Sequence, residues 1–187
     1  MKKNFISRAL TLTKILLKEQ FKEPISLFWV IISPCAIFYF LALSKNDTTY
    51  FSQEYIYTLS WFYSYIASSI AFFGFSFYII GRRESGFIRS FIYNKTSKAI
   101  FLLAQFSACS VISIIYCSVF YLVTRPPFGD YNVIEFLTLL FRFYLCYMVF
   151  CIPGLLFTLP SINFQNAHTL ISIASFVMLT LGIAGTA

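Results

Sequence analysis

The residues GRRESGFIRSFIYNKTSK, 81–98, place six charged side chains between two long apolar runs: Arg82, Arg83, Glu84, Arg89, Lys95 and Lys98. A second candidate is a lone cation, Arg142 in LLFRFYLCY, about nine residues into another apolar run. Such a cation is costly in hydrocarbon, so it must face protein or a water-filled cavity and pair, or snorkel to the surface. Glu135, at i−7, is the acid its own helix offers. A third candidate is the series Ser60, Ser64 and Ser68, spaced every four residues with Ala67 and Ala71 alongside. Small residues at that spacing let helices approach closely; the hydroxyls could instead line a polar passage. Arg142 and the three serines are therefore candidates for a substrate pathway, with a packing role as the alternative.

Catalytic groups are scarce. The sole histidine, His168, sits in a short polar link, and the two aspartates, Asp47 and Asp130, lie in loops. There is no HExxH, no pair of aspartates within an apolar run and no Ser/His arrangement, so the chain is not expected to be an enzyme by itself. A GxxxxGK[ST] phosphate loop is also missing from the sequence, so any coupling to ATP must come from a partner. The five cysteines, Cys35, Cys109, Cys117, Cys146 and Cys151, all fall in apolar runs without a CxxC pair. They read as small buried apolar residues rather than a disulfide frame or metal site.

The elements that must position these groups follow from composition. With 59% hydrophobic and 11% charged residues, the chain departs far from a soluble domain, where about a quarter are charged. Lipid is the solvent that suits it, and several runs reach the roughly 20 residues needed to cross a bilayer as a helix. The net charge of +7 is a topology signal, not a nucleic-acid footprint, because of where it lies. Lys2, Lys3, Arg8, Lys14, Lys18 and Lys22 precede the first run, and Arg82, Arg83, Arg89, Lys95 and Lys98 follow the second. Both segments, and with them the amino terminus, are expected on the cytoplasmic side of a bacterial inner membrane.

The expected fold is all-α: a polytopic helical membrane protein, one domain over 1–187, with an interfacial amphipathic helix and about five transmembrane helices. Residues 5–22 read as the interfacial helix, with Ile6, Leu10, Leu17 and Phe21 near one face and Lys14, Lys18 and Lys22 on another. A solvated juxtamembrane arm is the alternative. Spans are expected at about 25–44, 55–80, 99–123, 133–158 and 169–187. Pro24 ends the interfacial helix, Pro34 should kink the first span, and Pro153-Gly154 should interrupt the fourth. RPPFGDYN, 125–132, is a turn, because two prolines and a glycine cannot continue a helix. The link at 159–168 has no Lys or Arg, so charge does not assign its side.

Two segments resemble the membrane subunits of ATP-binding-cassette type 2 exporters. RALTLTKILLKEQFKEPISLFWVIISPCAIFYFL, 8–41, is similar to that family's connecting helix and first span with a mid-helix proline. GRRESGFIRSFIYNKTSKAIFLLAQ, 81–105, is similar to its R-E-x-G-x-x-[KR] loop between spans two and three. The motif falls on Arg83, Glu84, Gly86 and Arg89. The resemblance implies that 81–98 is a cytoplasmic coupling segment that docks on a separate cassette ATPase subunit, which would bind the ATP and magnesium. Arg83 and Glu84 would make polar contacts, Gly86 would allow a sharp bend, and Phe87, Ile88 and Phe91 would be apolar anchors. It further implies a second permease subunit, identical or different, with spans two and five near the midline between them, all in membrane lipid and without nucleic acid. Members of the family have six spans, whereas only five are read here. That difference leaves room for a non-transporting accessory or immunity-type membrane protein.

Overall fold

The computed structural model describes residues 2–22, 24–44, 55–86, 94–159 and 163–186. Among them every element is helical and no strand occurs. Helix α1 spans Lys2–Gln20 and α2 spans Pro24–Ser44. Helix α3 is continuous over 55–84: α-helical at Tyr55–Ser69, π-helical at Ile70–Phe77 and α-helical again at Tyr78–Glu84. Helix α4 spans Lys95–Thr124, a 3-10 turn covers Pro126–Phe128, α5 spans Val133–Thr158 and α6 spans Phe164–Thr186. Leu59–Glu84, Lys95–Thr124 and Val133–Thr158 are long and apolar enough to cross a bilayer, and Trp29–Leu43 is apolar but shorter. The chain is an all-helical protein of membrane type.

Several boundaries differ from the sequence reading. Pro24 opens α2, where its missing N–H has no partner to lose. Helix α4 starts at Lys95, so 95–98 is helix rather than loop, and α6 starts five residues before the expected 169. His168 therefore stands within α6, against the rings of Phe73 and Phe77, not in a loop. Helix α5 is not interrupted at Pro153-Gly154. Instead Gly154 is the point where α5 touches α3: a Cβ there would lie 2.5 Å from Ser76 Oγ and 3.3 Å from the Ala71 carbonyl.

The core forms around α3, which α4 and α5 flank. Phe38 of α2, Phe62, Ile66 and Phe75 of α3, Phe120 of α4, and Phe143 and Tyr147 of α5 are all no more than 2% exposed. Ala67 and Ala71 are fully buried, which lets the helices approach closely. Where α3 becomes π-helical, side chains supplement the ladder: Ser76 Oγ donates to the Ala71 carbonyl at 2.9 Å and Gln105 Nε2 to the Gly74 carbonyl at 3.0 Å. On the other face of the bundle Leu137, Phe141, Leu145, Val149 and Ile152 of α5 stand exposed, as suits a lipid-facing stripe.

One end of the bundle is tied at the 125–132 turn. Tyr55 hydroxyl lies 2.7 Å from Thr124 Oγ1 and 2.8 Å from the Tyr63 hydroxyl, and Tyr39 donates to the Val123 carbonyl at 2.7 Å. Asn132 caps α5, its side chain accepting from the amides of Ile134 and Glu135. Arg125 Nε pairs with Glu135 Oε1 at 3.0 Å. The ends of α1, α3 and α5 and the start of α6 gather at the opposite end, so successive long helices run antiparallel.

Candidate functional site

Helix α3 reaches the charged stretch as Tyr78–Glu84, and Gly86 ends it with φ 75°, a left-handed value that suits glycine. Arg82 sits two-thirds of the way along this last segment and pairs with Glu19 of α1. Tyr78, one turn earlier on the same face, donates to Glu19 Oε2 at 2.6 Å, and Arg82 Nη2 donates to the Tyr78 hydroxyl at 2.7 Å. Arg83 Nη1 donates to the Thr158 carbonyl at 2.8 Å, the last residue of α5. Glu84 Oε2 accepts from the Phe164 amide at 2.6 Å, the first residue of α6. A carboxylate at that position satisfies an unmatched N–H and complements the positive end of α6. Three consecutive side chains thus bind α3 to α1, α5 and α6.

These contacts also bring Thr158 and Phe164, the last residue of α5 and the first of α6, beside the 81–86 segment. Phe87, Ile88, Arg89 and Phe91, the remaining members expected of a coupling segment, lie outside the described residues. So does the loop at 45–54. The motif residues Arg83, half-buried, and Glu84, exposed, bond to neighbouring helices of this chain, whereas the sequence reading assigns them to partner contacts.

Helix α1 packs along α4. Thr13, Leu16 and Gln20 form its buried face, with Leu16 against Ala104 and Ala108 and Thr13 Oγ1 directed at the Ala104 carbonyl at 3.4 Å. Of the expected apolar face, Leu17 is partly buried, whereas Ile6, Leu10 and Phe21 are more than half exposed. Lys14, Lys18 and Lys22 are exposed as well. The helix therefore carries an outward apolar set beside its lysines while a third face, Thr13, Leu16 and Gln20, docks on the bundle.

The second group of candidates divides. Ser60, Ser64 and Arg142 line one groove between α3 and α5, of about 130 Å³, together with Ile56, Tyr63, Leu139, Phe143 and Cys146. Ser64 Oγ donates to the Ser60 carbonyl at 3.2 Å and receives the Cys146 thiol at 3.7 Å. Ser68 is outside this group: it is 2% exposed and its hydroxyl returns to the Tyr65 carbonyl at 2.9 Å. Arg142 does not pair with Glu135. Seven residues of helix separate them by about 10 Å of rise, and Arg125 and the Tyr121 hydroxyl already hold that carboxylate. Among the described residues no carboxylate lies within ion-pair distance of Arg142, which is exposed along the groove.

Sequence reasoning missed Glu19, Tyr78 and Gln105. Glu19 carried one signal, being an acid inside a run of lysines. Gln105 carried another, as an amide well inside an apolar run; it is fully buried and serves the π-helical turn.

The chain is similar to protein McbE of Escherichia coli, at 33% identity over 178 residues, covering 90% of this chain and 70% of that protein. No family model matches the chain, and no solved structure does.

Proposed function

The chain belongs to the same family as protein McbE, and we propose that it acts as the membrane permease subunit of an ATP-binding-cassette exporter. In this reading five spans cross a bacterial inner membrane with the amino terminus in the cytoplasm. A second permease subunit completes the pathway, and separate cassette ATPase subunits bind ATP and magnesium. The observation that carries the reading is the junction at the end of α3. There Arg82, Arg83 and Glu84 tie α1, α5 and α6 to the helix that leads into the basic stretch. A partner that pulls on 87–93 would act on four helices at once, which is what a coupling segment must do to switch access to a pathway. Ser60, Ser64 and Arg142 would face that pathway, and Ser68 would pack.

The test is co-purification in mild detergent. The intact chain is compared with Phe87→Ala/Arg89→Glu, which alters the proposed docking surface, and with Glu84→Gln, which alters the internal cap. A cassette ATPase should accompany the intact chain and the Glu84→Gln protein and be lost from the double variant. If no ATPase accompanies any of the three while all are inserted, the permease reading fails, and an accessory membrane protein takes its place.

A further inference from the structure

The groove between α3 and α5 has a chemistry that names what it would hold. Its walls at Ile56, Leu139 and Phe143 are apolar, and its one charged lining group is the Arg142 guanidinium. The other polar groups are already committed. Tyr63 hydroxyl is 2.8 Å from that of Tyr55, and the Ser64 proton goes to the Ser60 carbonyl at 3.2 Å. No acid lines the groove, so nothing in it would attract a cation. A sugar would need several amide or carboxylate partners, which the lining does not supply. A guanidinium offers five N–H donors in a planar fork that fits a carboxylate or phosphate with two parallel bonds. Its charge is also expensive to leave without a counterion in an apolar setting.

We propose that this groove is a binding site for an anionic amphiphile, a phosphate or carboxylate head group on an apolar body, with Arg142 as the head-group ligand. Its meaning as a cargo site rests on the permease reading; the binding itself does not. Ser60 and Ser64 keep the wall of α3 low, so that the head group reaches Arg142, and Ile56, Leu139 and Phe143 receive the apolar part.

The experiment places the purified full chain in phosphatidylcholine nanodiscs and titrates dodecyl phosphate, with dodecyltrimethylammonium and dodecyl maltoside as the cationic and neutral counterparts. Saturable binding of the phosphate alone is expected. Arg142→Gln should weaken it about tenfold or more, the usual range for a charge-assisted contact, and Arg142→Lys should retain part of it. Ser60→Leu, which fills the groove without touching the charge, should weaken binding too and serves if the Arg142 variants fold poorly. Equal binding of the cation, or phosphate binding unchanged in both Arg142→Gln and Ser60→Leu, would overturn the proposal. Full displacement by phosphatidylglycerol at ordinary membrane content would make the occupant a resident lipid and overturn the cargo meaning. Loss of ATPase co-purification with phosphate binding intact would remove the permease reading and leave the anion site standing.

Discussion

Glu84 has a task that its neighbours in sequence do not reveal. Its carboxylate caps α6 through the Phe164 amide, 80 residues away. Replacing it with alanine removes the acceptor and should cost about 1 kcal/mol, in line with other helix caps, whereas glutamine keeps an oxygen and should cost less. Thermal unfolding in detergent should rank the intact chain first, then Glu84→Gln, then Glu84→Ala. Gly154 presents the opposite situation, a residue needed for what it lacks. A Cβ there would press on Ser76 Oγ, a fully buried group that already serves the Ala71 carbonyl. Gly154→Leu should therefore lower stability by about 1–3 kcal/mol through overpacking. Gly154→Ala should lose less, and Ser76→Gly in the same chain should recover part of that loss. If Gly154→Leu melts like the intact protein, α5 and α3 do not approach as closely as described.

At the scale of elements, α1 is joined to α3 by Glu19, Arg82 and Tyr78 and to α4 by packing. The side chains of Arg82 and Glu19 remain 25% and 40% exposed, so water screens the pair. A double-mutant cycle of Glu19→Gln and Arg82→Gln should give a coupling energy below about 1 kcal/mol. Leu16→Ala, by contrast, removes a side chain 4% exposed from the α1–α4 contact and should cost about 2 kcal/mol or more. A cycle in which the ion pair dominates would show that charge, not packing, docks α1. Much of this organisation was legible in the sequence, because helix ends are written locally. Pro24 marked the break between α1 and α2, although it opens α2 rather than preceding it, and RPPFGDYN marked the turn before α5. What was not legible depends on pairs far apart in the chain. Pro153-Gly154 looks like a break until α3 supplies the atoms that Gly154 admits. Glu135 was one partner open to Arg142 until Arg125, just past the end of α4, proved the nearer cation. The i, i+4 spacing set Ser60 and Ser64 on one face, but their meeting with Arg142 and the departure of Ser68 were not legible, since both require knowing which face α5 covers.

For the whole molecule, the hydrogen bonds at its two ends sort the connections into two sets. The end of α3, the end of α5 and the start of α6 share one end through Arg83 and Glu84, and the 125–132 turn lies at the other. Single cysteines at Ser85 and Asn163, in a chain otherwise freed of cysteine, should react with an impermeant maleimide only from the cytoplasmic side. One at Asp130 should react only from outside. Labelling of positions 85 and 163 from opposite sides would rule out the arrangement. The π-helical segment at Ile70–Phe77 adds a consequence in terms of chain length. Each i→i+5 turn accommodates a residue more than an i→i+4 turn, so the segment shifts the angular phase between the two halves of α3. One half presents Ser60 and Ser64 to the groove; the other presents Arg82, Arg83 and Glu84 to the junction. A relative that deletes one residue between 70 and 77 has a means of keeping both faces aimed, by closing the widened turns. A deletion between Ser60 and Ser64, or between Tyr78 and Arg82, has no such slack to draw on and would rotate one set away from its partners. Gaps among relatives should thus be tolerated in the middle of this helix, where an apolar span is ordinarily least forgiving.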